Sequence, residues 1–142
     1  GPEPFNKHYN IHYFQKFIRE KKKSIKDLLL NQKFVSGIGN IYANEILFLC
    51  KINPSKKIKL LTKDDCKKII HNSKKVLLNA IKKGGSSIRD FKNTEGIKGG
   101  FQYNFKVYQQ EGMECKSIGC SDFIKKKIIS NRSTFFCDSC QK

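Results

Sequence analysis

The sequence predicts a mainly α fold: a helical domain at about residues 9–92, followed by a small metal-held β-hairpin at about 106–142. Three observations predict it. Apolar residues recur at helical spacing from Tyr9 to Ile81. Glycine, proline and hydroxyl-bearing residues punctuate that stretch into separate helices. Beyond it, two close cysteine pairs flank two short apolar runs.

Residues 1–8 read as an extended linker, because Pro2 and Pro4 each disfavour helix at the residue before them. A first helix lies within Tyr9–Lys23, with Ile11, Phe14, Phe17 and Ile18 at helical spacing. Ser24 caps a second helix, with Asp27 at its third position, running through Ile25, Leu28 and Leu29 to about Gln32. Gly37-Ile38-Gly39 permits tight turns, and a third helix starts near Asn40 and breaks at Asn53-Pro54. Thr62 and Asp65 form a variant capping box at the head of a long helix. Its apolar residues include Cys66, Ile69, Ile70, Val76, Leu77 and Ile81, and Gly84-Gly85 stops it. Ser86 and Ser87 cap a short helix to Phe91, and residues 93–105 form a loop and connector. Loose alternation from Phe101 to Tyr108 marks a candidate strand or a continuing irregular segment. In the hairpin, Ile128-Ile129 and Thr134-Phe135-Phe136 are strands around Ser130-Asn131-Arg132-Ser133.

Twenty-nine Lys and Arg residues against twelve Asp and Glu leave a formal charge of +17. An excess spread over the whole length concentrates and captures polyanions, so nucleic acid is the expected partner. No long apolar span and no basic amphipathic helix with bulky anchors argues for a membrane. No stretch reads as a signal peptide, so a cytosolic or nucleoid location is expected. Arginine is scarce, so Arg19, Arg89 and Arg132 stand out individually.

Cys115 and Cys120, separated by four residues, precede Cys137 and Cys140, separated by two, with sixteen residues between the pairs. Four thiolates in two close pairs suit one tetrahedral structural Zn2+ with no open position for catalysis. An iron–sulfur cluster or disulfides are the alternatives. Cys50 and Cys66 lie in helical patterns and read as buried small residues.

The turn before Asn40 admits two readings. The following helix can bind phosphate with its free N–H groups, with Gly39 allowing close approach and Asn40 donating a hydrogen bond. Alternatively, Asn40 only caps the helix. Arg132 is likewise either a phosphate contact or an exposed turn arginine. His8, His12 and His71 have no paired spacing and read as surface or packing residues.

In order, these features resemble the formamidopyrimidine-DNA glycosylase and endonuclease VIII family. Ser36-Gly37-Ile38-Gly39-Asn40-Ile41-Tyr42-Ala43-Asn44-Glu45 is similar to its helix–two-turn–helix signature. Gly84-Gly85-Ser86-Ser87-Ile88-Arg89-Asp90-Phe91 is similar to its segment after the long helix. Arg132 to Phe136, with Cys137 through Cys140, Gln141 and Lys142, resembles its terminal zinc finger. The resemblance covers essentially the whole chain. The stretch Asn93 to Phe101 favours the formamidopyrimidine branch, in which Thr94, Glu95, Gly96, Ile97, Lys98, Gly99, Gly100 and Phe101 would form a loop closing over a flipped oxidised purine.

The resemblance further implies that Asn40 and Arg132 grip phosphates around the lesion, with Gly39, Tyr108 and Lys26 as further DNA-binding candidates. Duplex DNA, damaged or abasic, is the implied partner of a monomer. Two departures stand out. The family usually spaces its first zinc pair C-x2-C, unlike Cys115–Cys120. Its nucleophile is the amine of an N-terminal proline in a β-rich domain, whereas Pro2-Glu3 here reads as hinge. No catalytic residue is therefore expected in this chain, which reads as the DNA-binding half of a bifunctional glycosylase/AP lyase with the catalytic domain as its partner. A stand-alone zinc-containing RNA-binding module is the rival reading.

Overall fold

The computed structural model describes residues 1–19, 22–82 and 105–142. Among the described residues, four α-helices pack together and are followed by an antiparallel hairpin.

Helix α1 (Ile11–Ile18) begins where Asn10 Oδ1 accepts the Tyr13 N–H, so the helix starts one cap later than Tyr9. It ends at Arg19, whose backbone leaves the helical region, well short of Lys23. Helix α2 (Ile25–Leu30) is capped by Ser24, whose hydroxyl accepts the Asp27 N–H as predicted. Helix α3 (Asn40–Cys50) ends before Asn53-Pro54. Lys51 adopts the left-handed conformation and returns its N–H to the carbonyls of Leu47 and Phe48. Asn53 instead builds the next turn, its side chain accepting the Ser55 N–H. A 3-10 turn at Ile58–Leu60 has no counterpart in the sequence reading. Helix α4 (Lys63–Lys82) carries the full capping box: Thr62 N–H donates to Asp65 Oδ2 and Asp65 N–H to Thr62 Oγ1, each at 3.0 Å.

Strands β1 (Lys125–Ile129) and β2 (Arg132–Phe136) pair with Lys125 opposite Phe136 and Ile129 opposite Arg132. Ser130 and Asn131 both have left-handed φ, of 50° and 63°, the geometry of a two-residue type I′ turn. The turn is thus shorter than the four residues read from the sequence, and Arg132 opens β2. Residues 105–108 are irregular rather than a strand, and the N–H groups of Lys106, Val107 and Tyr108 go to a side chain, described below. The predicted short helix after Ser86, the Gly84-Gly85 stop, the loop from Thr94 to Phe101 and the first part of the candidate strand lie outside the described residues.

Helix α3 is the central element because its two sides enter different cores. Ala43, Ile46, Leu47 and Cys50 join Phe14, Leu28, Phe34, Ile69 and Val76 in the helical core. Ile41 and Phe48, about two helical turns apart and on the opposite side, join Val107, Tyr108, Ile124 and Phe135 of the hairpin module. Each such buried aliphatic or aromatic side chain contributes about 1.5–3 kcal/mol. Tyr9 ties the N-terminal segment to α4: Ser73 Oγ donates to the Ile69 carbonyl, so the Tyr9 hydroxyl donates to Ser73 Oγ at 3.1 Å. Among the described residues, no helix is long and apolar enough to cross a membrane.

Candidate nucleic-acid interface and metal centre

Gly39 occupies the cap position of α3 with no side chain to satisfy the first-turn N–H groups, which have no intrahelical acceptors. A Cβ added there would meet nothing within 4 Å, so this helix end opens onto free space. Gly37, at φ +92°, turns the chain into it.

Asn40 does not cap the helix. Its Nδ2 donates to the Ser133 carbonyl across the module boundary at 3.0 Å. That acceptor sets the amide orientation, since Oδ1 in its place would face the carbonyl oxygen. Oδ1 is buried and has no hydrogen-bond partner among the described residues. The bond to Ser133 places Asn40 beside Arg132, which is exposed at the start of β2. Two residues far apart in sequence thus share one surface with the open end of α3.

Lys26 lies directly behind them and is fully buried. Its ammonium donates to the Ser133 carbonyl at 3.1 Å and to Thr134 Oγ1. Thr134 passes its own proton to the Arg132 carbonyl at 3.1 Å. Burial, reinforced by the Arg132 guanidinium, lowers the Lys26 pKa to about 8, while Asp27 opposes the shift. An anion near Arg132 would relieve this repulsion. Tyr108 is also buried, edge-on to Phe105 and Phe135 at 5.6 and 5.2 Å between ring centres. Gly39 and Arg132 are therefore surface members of the predicted set, Asn40 is partly buried, Lys26 supports from behind, and Tyr108 lies in the hairpin-side core.

Side chains that the sequence reading passed over fasten the hairpin module to α3. Glu45 accepts three successive backbone N–H groups, from Lys106 at 2.7 Å, Val107 at 2.9 Å and Tyr108 at 3.0 Å. Asn44 Oδ1 accepts the Phe135 N–H at 2.8 Å. Gln141 bridges the Cys137 N–H and the Ile52 carbonyl. A buried acid or amide on an otherwise apolar helix was the available signal, but its partners lie 61 to 91 residues away.

Cys115, Cys120, Cys137 and Cys140 converge, with all four Sγ atoms within 4.8 Å of one another. They form no disulfide, and the cluster could hold a metal ion. The Sγ separations of 3.8 Å (Cys115–Cys140) and 3.7 Å (Cys120–Cys137) match the edge of about 3.8 Å expected for a tetrahedron of metal–sulfur bonds near 2.3 Å. The wide first knuckle keeps a backbone bond to sulfur, from Ser117 N–H to Cys115 Sγ at 3.5 Å, and closes through Gly119 at φ +82°. Cys50 and Cys66 remain apart as buried core thiols, pushed up by burial to about 12 and about 11. All three histidines are exposed.

The family model of the formamidopyrimidine-DNA glycosylase H2TH domain matches residues 1–92. Over all 142 residues the chain is 40% identical to a formamidopyrimidine-DNA glycosylase of Prochlorococcus marinus and 42% identical to that of Zymomonas mobilis, covering 50% and 52% of those proteins. The solved structure of Lactococcus lactis formamido-pyrimidine DNA glycosylase, non-covalently bound to AP-site DNA, superposes with a TM-score of 0.85 at 35% identity. That match covers the whole of this chain and 50% of the other. The chain thus spans about half the length of the relatives it matches. With its helix–two-turn–helix region, its closing hairpin and its cysteine cluster, it belongs to the formamidopyrimidine-DNA glycosylase family.

Proposed function

We propose that this chain is the DNA-binding portion of a bifunctional DNA glycosylase/AP lyase that excises oxidised purines. The observation that carries the reading is the meeting of Asn40, at the open end of α3, with Arg132 across the Asn40–Ser133 bond. Helix-end N–H groups, a side-chain amide and a guanidinium suit one stretch of phosphodiester backbone. The Lactococcus relative was solved with AP-site DNA and with Fapy-dG DNA, and this chain is assigned the same class of ligand. Gly39, Asn40 and Arg132 make the direct contacts, while Lys26 and Tyr108 hold them in place. Residues Thr94 to Phe101 contact the flipped base. Excision and strand cleavage belong to a catalytic domain acting beside this one.

The metal is one Zn2+, held by Cys115, Cys120, Cys137 and Cys140. Four thiolates at tetrahedral spacing favour it, and it organises the hairpin without taking part in chemistry.

Fluorescence anisotropy tests the reading by comparing an abasic-analogue duplex with an undamaged duplex at two salt concentrations. Preferential, salt-sensitive binding to the analogue is the expected result. Equal binding leaves a general phosphate-binding module, and preference for structured RNA over both duplexes overturns the reading.

A further inference from the structure

A second basic site draws none of its residues from the hairpin. Between the N-terminal segment with the start of α1 and α4 is a cleft of about 300 Å³, whose lining includes Lys7, Tyr9, Asn10, Lys67, His71 and Lys74. Lys67, His71 and Lys74 stand at i, i+4 and i+7 of α4, and so share one helix face. Lys7 enters from the other wall.

Two features separate this cleft from an ordinary solvated lysine face. The first is local charge. From Cys66 to Lys82, α4 carries five lysines and His71 with no acid. Lys56, Lys68, Lys125 and Lys126 each have an acidic partner, whereas Lys7, Lys67 and Lys74 have none among the described residues. Three uncompensated ammonium groups around one concavity repel one another, and an anion placed between them removes that repulsion. The second is location. Helix α4 packs on the side of α3 that carries Ala43, Ile46 and Leu47, and the hairpin with Arg132 packs on the side that carries Ile41 and Phe48. The cleft is built from the N-terminal segment and α4 and shares no residue with the Asn40–Arg132 surface.

We infer that the cleft of Lys7, Lys67, His71 and Lys74 is a second phosphodiester-binding site, which holds a DNA segment other than the one at the α3 N-terminus. One protein molecule then bridges two duplexes. The cleft's charge selects an anion, and the DNA-binding reading above supplies only its class.

The test retains the protein on one immobilised duplex and measures capture of a second, fluorescent duplex. Retention on the first duplex reports the DNA-binding reading separately from the bridge. The wild-type chain should capture the second duplex, and the double variant Lys67→Gln/Lys74→Gln should lose capture by about tenfold or more while its affinity for the first duplex stays within about twofold. These exposed or half-buried polar changes should leave the melting temperature unchanged, which controls for folding. Capture that is absent in the wild type or unaffected by the double variant overturns the inference. So does an equal loss of first-duplex affinity, which would merge the cleft with the primary surface. Complete displacement of the second duplex by inorganic phosphate at matched ionic strength would assign the cleft to free phosphate instead, and would also overturn it.

Discussion

Asn40, in the first turn of α3, donates its side-chain amide to the backbone carbonyl of Ser133, 3.0 Å away and 93 residues later in the chain. This bond makes one surface from a helix end and a hairpin. Replacing Asn40 with Ala should remove both the link and a phosphate donor. A hydrogen bond to a charged group contributes about 1.5–3 kcal/mol. DNA affinity should therefore fall by roughly tenfold to a hundredfold, measured by anisotropy. Thermal stability should fall far less, by about 1 kcal/mol.

Arg132 is exposed, so its removal should not unfold the hairpin. Arg132→Ala should weaken DNA binding and lower the steepness of log K against log salt by about 0.9, the contribution of one neutralised phosphate. An unchanged slope would show that the guanidinium touches no phosphate.

The two turn glycines should respond differently. Gly37 has a φ of +92°, so Gly37→Ala should destabilise by about 1 kcal/mol. Gly39 has a φ of −98° and open space where a Cβ would stand. Gly39→Ala should therefore keep its melting temperature yet bind DNA more weakly, because the methyl group occupies the approach to the helix end.

Lys26 predicts a pH dependence. Its pKa is about 8 in the folded protein, below the ordinary lysine value of 10.5. Between those values the unfolded chain binds more protons than the folded one, so this residue makes stability rise with pH from about 8 to about 10.5. DNA binding has the opposite sign, because a phosphate favours the charged ammonium. Affinity should weaken above about pH 8 in the wild type. That inflection should vanish in Lys26→Met, as read from titrations at fixed ionic strength.

Glu45 holds three backbone donors, two of them buried, with one carboxylate. Glu45→Ala should leave them unsatisfied, at about 1–3 kcal/mol each for the buried ones, and loosen residues 105–108. Denaturant unfolding should show a loss of about 3 kcal/mol or more. Glu45→Gln should lose less, since its amide oxygen still accepts.

Removing the metal with a chelator should free the hairpin amides of Phe135 and Cys137 to exchange while those of Ile69 and Val76 in α4 stay protected. The thiolate cluster organises only the second core, to which α3 contributes Ile41 and Phe48. Simultaneous loss of protection in α4 would show a single cooperative unit.

By itself, the sequence determined what depends on nearby residues. Ser24 and the Thr62–Asp65 pair announced helix starts because a cap bonds to an N–H three residues on. The cysteine spacing announced the four-thiol cluster, and the order of motifs announced the family. The end of α3 was misread because a left-handed Lys51 carries no obvious signal, whereas Asn53-Pro54 does. Only the tertiary structure decided that Asn40 bonds to Ser133 rather than capping its own helix, and that Lys26 is buried behind Arg132. It alone showed that Glu45 receives the chain at residues 106–108. The physical reason is the same in each case. A side chain's hydrogen-bond capacity is written in its residue type, but a partner dozens of residues away is chosen by how α3 packs between two cores.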